Sequence, residues 1–187
     1  MKHLKLAPIR QVLIIGLFGL SFACGGLDEF EIEETARSVV PGASLLEQLA
    51  GDLGFADFAS FDISNNQTLA NQGVTKDQID SVTISELKLT ISSPMGSDFT
   101  FLDSLNFFVS SEGLETKRIA SGGPFTMGEG VVVLNLDMVD LKPYAVASAM
   151  EITTQVEGRR PDQETTIDAS ITMLVDVNVG GVISSGI

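Results

Sequence analysis

Residues 149–177 read AMEITTQVEGRRPDQETTIDASITMLVDV, and this stretch decides the fold. Apolar residues or threonine occupy alternate positions before the segment GRRPD, and the alternation resumes after it. A period of two places successive side chains on opposite faces of a β-strand. The stretch therefore predicts two long strands around one turn, and we expect them to pair as a hairpin. The side chains expected in the core include Ile152, Val156, Ile167 and Ile171.

The alternation extends through much of the preceding chain. Residues 81–92, SVTISELKLTIS, show it with one change of parity, which predicts a β-bulge near Ser85 and Glu86. Residues 27–40, 105–111, 118–120 and 131–137 also predict strands, whereas residues 43–53 and 75–79 predict short helices. These elements indicate one all-β domain over residues 30–177. We expect a two-sheet, immunoglobulin-like sandwich with one or two short helices, and a small β-barrel is the alternative.

The first residues have a different composition. Residues 1–10 contain three basic residues, and residues 11–23, QVLIIGLFGLSFA, contain no charge. This apolar run is too short to cross a bilayer as a helix, which takes about 20 residues. A basic start, a short apolar run and small residues before a cut are typical of a secretory signal. We therefore expect residues 1–23 to be removed on export.

The residues around the expected cut, LSFAC at 20–24, resemble a bacterial lipobox. The resemblance implies cleavage before Cys24 and lipid on that cysteine, with residues 24–29 as a short tether. It also implies a lipid-anchored protein of the cell envelope. The residue after the cysteine, Gly25, resembles the pattern of lipoproteins that are sorted to the outer membrane. Ordinary secretion without a lipid anchor is the alternative. The domain itself resembles uncharacterised β-sandwich lipoproteins of environmental bacteria. Residues 178–187 are expected to be a frayed tail.

The composition of the exported part excludes several chemistries. His3 is the only histidine and Cys24 the only cysteine, so neither a serine–histidine triad nor a zinc site can form after processing. Three of the 11 basic residues precede Cys24, which leaves 8 bases against 25 acids, or a net charge of −17. Such a surface repels nucleic acid. We expect no cofactor and no tightly bound transition metal.

Carboxylates are the chemical groups that remain. Asp137 and Asp140 follow a predicted strand and are the candidate calcium ligands, although a solvated acidic surface explains them as well. Asp162 and Glu164 flank the predicted turn, and either pair could serve as the acid and base of a carboxylate hydrolase. Neither pair forms a recognised motif, so we expect no catalytic residue.

The sequence thus favours a membrane-anchored, non-catalytic binding or structural module. Its partners would be the bilayer, through Cys24, and an unknown protein or small molecule. One alternative is a carrier that holds a small apolar ligand between its sheets, and a carboxylate hydrolase is the other. The residues expected to line a carrier's cavity are Phe58, Phe61, Phe107 and Phe108.

Overall fold

The computed structural model describes residues 29–43, 66–71, 73–147 and 149–178. The expected signal peptide, Cys24 and the predicted helix beyond residue 43 lie outside these ranges. Phe58, Phe61 and the tail beyond Asn178 lie outside them as well. No helix in the described ranges has the length and apolar character that crossing a membrane requires.

Within this part of the chain, eight strands form two four-stranded sheets. The strands are β1 (Glu29–Val40), β2 (Ile79–Ser93), β3 (Leu102–Ser110), β4 (Lys117–Gly122), β5 (Val131–Val133), β6 (Asn135–Leu136), β7 (Glu151–Gly158) and β8 (Thr165–Val177). The first sheet has the order β1-β8-β2-β5 and the second the order β6-β4-β3-β7, with antiparallel pairs throughout. The prediction of an all-β, two-sheet sandwich is confirmed.

Alternation along the strands creates the core between the sheets. In β8 every second residue from Thr165 to Val177 is buried, and the residues between them are half-buried on the outer face. All four side chains expected in the core are buried, with exposures from 0% for Ile167 to 9% for Val156. The register of β2 against β8 shifts between Ile84 and Glu86, which confirms the predicted bulge.

The predicted hairpin is wrong. β7 pairs with β3 in the second sheet, whereas β8 pairs with β1 and β2 in the first. The connection crosses from one sheet to the other at Arg159, whose backbone N–H donates to the Phe101 carbonyl at 2.8 Å. Alternation specifies which face of each strand is buried. It does not specify whether two such strands pair side by side in one sheet or face each other across the core from different sheets.

A second correction concerns residues 131–137, which form two short strands instead of one. β5 pairs with β2 in the first sheet, and β6 pairs with β4 in the second. Leu134 lies between them, is only 4% exposed and donates its backbone N–H to the Leu87 carbonyl at 2.9 Å. The chain therefore changes sheets at a buried leucine, as strands do at the corners of packed sheets.

Short helices lie at the ends of the strands. α1 (Gln67–Asn71) contributes the buried Leu69, and α2 (Lys142–Ala145) contributes the buried Tyr144. A single 3₁₀ turn at Lys76–Gln78 confirms the helical turn predicted there. Its capping box is present, since the Thr75 backbone N–H donates to Gln78 Oε1 at 2.9 Å.

Candidate functional site

The outer face of the first sheet is strongly charged. Glu29, Glu31 and Glu33 project from the edge strand β1, and all three are exposed. Arg37 on the same strand forms a two-pronged ion pair with Asp168 of β8. The guanidinium of Arg37 holds the pKa of the Asp168 carboxyl below its usual value. Solvated and paired charges therefore cover the β1 side of this face, whereas Val131 and Val133 of β5 are exposed at its opposite edge.

The outer face of the second sheet has an uncharged centre. Asn106 of β3 lies opposite Ser121 of β4 on one side and Gln155 of β7 on the other, and Ser121 lies opposite Asn135 of β6. We call these four residues the amide row. The row crosses all four strands, and none of its side chains hydrogen-bonds to another part of the described chain. Its amides and hydroxyl can therefore donate to and accept from a ligand.

An aromatic ring and a guanidinium lie beside the amide row. Phe108 follows Asn106 by two residues on the same face, about 7 Å farther along the strand. Arg118 lies opposite Phe108, but the next aligned pair is Phe107 with Ala120, so Ile119 is an additional residue in β4. This bulge directs Arg118 outward beside the half-buried Phe108 while Ile119 and Ala120 both enter the core.

Asp137 fixes the orientation of Arg118. Arg118 Nε donates to Asp137 Oδ2 at 2.7 Å, and its Nη2 donates to Oδ1 at 3.4 Å. These hydrogen bonds lower the pKa of the Asp137 carboxyl and raise that of the guanidinium. A depression of about 560 Å³ opens over the group, which we call the outer-face site. Its lining residues are Asn106, Phe108, Lys117, Arg118, Asp137, Val139 and Gln155.

The two candidate calcium ligands, Asp137 and Asp140, hydrogen-bond to different partners. Both carboxylate oxygens of Asp137 accept from Arg118, and Asp140 Oδ1 accepts the Lys142 backbone N–H at 2.9 Å, at the start of α2. In the described ranges no three acidic, histidine or cysteine side chains cluster as metal ligands would. A calcium ion at Asp137 would have to displace the guanidinium of Arg118. Calcium binding by Asp137 and Asp140 stays a prediction.

Of the residues named for the carrier and the hydrolase, Phe107 and Phe108 lie on opposite faces of β3, and Asp162 lies on a loop. Phe107 is completely buried, whereas Phe108 belongs to the outer face, so the two rings cannot line one cavity. Asp162 lies on the exposed loop between β7 and β8, where its side chain is 93% exposed. Its Oδ1 is 3.8 Å from Arg159 Nη1.

A smaller cavity of about 180 Å³ lies among the loops at one end of the sandwich, and Asp98, Arg159 and the hydrolase candidate Asp162 are among its lining residues. Asp98 holds these loops together, because its carboxylate accepts from the Thr100 hydroxyl, the Thr100 backbone N–H and the Gly128 backbone N–H. These donors lower the pKa of Asp98. The carboxylate is thus already engaged in structural hydrogen bonds, and we assign no ligand to this cavity.

The sequence contains one indication of the outer-face site. In LNFFVSS, residues 105–111, alternation assigns Leu105, Phe107 and Val109 to one face and Asn106 and Phe108 to the other. A strand with one aromatic among polar residues on its outer face was therefore visible. The partners contributed by β4 and β7 were not, because they depend on the pairing of distant strands.

Comparisons with known proteins add no functional assignment. No protein-family model matches the chain, and no curated protein matches it. A solved structure from Desmodium yellow mottle tymovirus is similar at 13% identity, over 95% of this chain and 96% of that one. The TM-score is 0.23. A superposition of this quality supports no conclusion about fold or function.

Proposed function

We propose that this chain is a cell-envelope lipoprotein, anchored through lipid on Cys24, whose β-sandwich is a non-catalytic binding module. The observation that supports a binding role is the outer-face site. It combines an uncharged row of hydrogen-bonding side chains, an aromatic ring and an oriented guanidinium, on a chain with a net charge of −14. A few oriented polar groups around an apolar surface are what small-ligand sites generally contain.

The anchor is supported by the signal-like residues 1–23 and by the distance to the first strand. β1 begins at Glu29, five residues after Cys24. Five extended residues span at most about 17 Å. Lipid on Cys24 would therefore hold the β1 end of the sandwich close to the bilayer, and two or three acyl chains hold firmly where one does not.

The anchor is tested by growing cells with an alkyne palmitate and comparing the wild type with Cys24→Ala. We expect label in the wild type, membrane fractionation, and neither label nor mature processing in Cys24→Ala. Denatured wild type should also fail to react with maleimide, because the only thiol of the chain would be a thioether. An unlabelled, soluble and maleimide-reactive wild type would show ordinary secretion instead.

The binding role is tested without knowledge of the ligand. Thr153→Cys introduces a thiol at an exposed position of β7 opposite Phe108, and Thr83→Cys introduces one at an exposed position on the outer face of the first sheet. We expect the thiol of Thr153→Cys to be protected from maleimide in intact envelopes and reactive in the purified protein. The thiol at 83 should react equally in both. Equal reactivity of both thiols in both preparations would contradict the assignment of this face.

A further inference from the structure

We infer that the ligand of the outer-face site is a neutral saccharide chain, an inference that rests on the proposed binding function. The first argument is charge. The amide row carries no ionised group, and the positive charge of Arg118 beside it is offset by Asp137 at 2.7 Å. The charged residues of β7 on this face, Glu151 and Glu157, are acidic and lie at its two ends. Lys117 adds one positive charge beside the site, so two bases (Lys117 and Arg118) stand against three acids (Asp137, Glu151 and Glu157), a sum of −1. An anionic ligand therefore meets no net positive charge on this face, whereas a neutral ligand needs none.

The second argument is the type of hydrogen-bonding group. A sugar hydroxyl both donates and accepts, so it is matched by groups that do the same. Asn106, Gln155 and Asn135 each present an amide with two donors and an acceptor, and Ser121 presents a hydroxyl. The paired Arg118 and Asp137 place donors and acceptors side by side in a fixed plane.

The third argument is shape. The row crosses four strands, or about 14 Å at the usual spacing of neighbouring strands. Asn106 and Gln155 of the row line the depression, and Ser121 and Asn135 continue the row beyond it. A row of this length suits an extended chain better than a compact ligand. The ring of Phe108 lies beside the row and offers an apolar face to the C–H groups of a sugar. Its half-buried position leaves part of that ring accessible.

A protein partner is less well matched to this surface. Stable protein interfaces bury about 800 Å² on each side and depend on a cluster of aromatic and arginine anchors. The outer-face site has one aromatic residue, and its one arginine is already paired. If a protein covered the amide row, every polar group that it buried would also need a hydrogen-bond partner.

The test is affinity electrophoresis of the full chain, purified in a detergent without a sugar head group. The neutral probes are dextran, laminarin, xylan and mannan, and the anionic probes are alginate and polygalacturonate. We expect at least one neutral polymer to retard the wild type. Asn106→Ala and Phe108→Leu should each raise the apparent Kd about tenfold or more. Phe108→Leu retains apolar volume and removes only the aromatic face. Thr83→Ala, on the other sheet, should bind as the wild type does.

Each other outcome overturns the saccharide assignment. Retardation by the anionic polymers alone would assign the face to charge binding by Lys117 and Arg118. Retardation that Asn106→Ala and Phe108→Leu leave unchanged would place binding elsewhere. No retardation by any neutral polymer would exclude the ligand class. Palmitate labelling of the same preparations separates this failure from failure of the anchor, and protection of the thiol of Thr153→Cys separates it from failure of the binding role.

Discussion

Replacing Ile171 by alanine tests the central strand of the first sheet. Ile171 is 1% exposed and lies in register with Glu34 of β1 and Leu87 of β2. The substitution removes three carbon atoms, worth about 2.4 kcal/mol at about 0.8 kcal/mol each. Because β1 and β2 hydrogen-bond to both sides of β8, the backbone cannot collapse freely into the cavity. We therefore expect a total loss of about 3–4 kcal/mol in the free energy of unfolding.

The assay is urea unfolding followed by circular dichroism and by the fluorescence of Tyr144, the only tyrosine. Ile171→Val, which removes one carbon, should cost about 0.5–1.5 kcal/mol. Thr172→Ala changes the neighbouring residue on the outer face and should cost less than about 1 kcal/mol. The reasoning is refuted if Ile171→Ala costs under about 1 kcal/mol, or no more than Thr172→Ala does.

Three further results are expected. Asp98 has a lowered pKa in the folded state, so its stabilising contribution is complete above the unfolded pKa of about 3.9 and is lost as the pH falls through the lower folded pKa. The urea midpoint of Asp98→Ala should consequently drop less than that of the wild type between pH 5 and pH 3. Gly158→Ala should lower the urea midpoint more than Gly113→Ala does. A Cβ at position 158 would lie 2.4 Å from the Phe101 carbonyl oxygen, whereas a Cβ at position 113 would meet nothing within 4 Å. Equal midpoints would contradict this. Metal analysis of protein purified without chelator should find no stoichiometric zinc, copper or iron, since the sequence has no histidine after His3 and no cysteine other than Cys24, which lipid would occupy.

The faces of the strands could be predicted from the sequence because alternation is a local property. Ile152 and Ile167 each enter the core as their own neighbours in sequence indicate. The parity change in β2 revealed its bulge for the same reason. Strand partners are different, because pairing depends on residues far apart in the chain. The sequence between β7 and β8 is compatible with a hairpin and with a crossing between sheets, and only the crossing is observed.

The outer-face site shows the same division. Asn106 and Phe108 could be assigned to one face from β3 alone. Their association with Arg118 required the bulge at Ile119, which appears in the sequence only as two adjacent apolar residues in a short strand. Gln155 enters the site because β7 pairs with β3, where a hairpin with β8 was expected. The error in pairing is thus the reason that the sequence did not reveal the site.

The acidic composition acquires a specific meaning from the arrangement of the sheets. Charged side chains on an edge strand discourage pairing with another chain, and β1 is a 12-residue edge strand with Glu29, Glu31 and Glu33 on its outer face. The same charges favour solubility. The amide row lies on the opposite sheet, where such charges would have to be desolvated when a neutral ligand bound. Excluding them from the centre of that face would lower the cost of binding the proposed ligand there, so the placement of the acids is consistent with the proposed binding role.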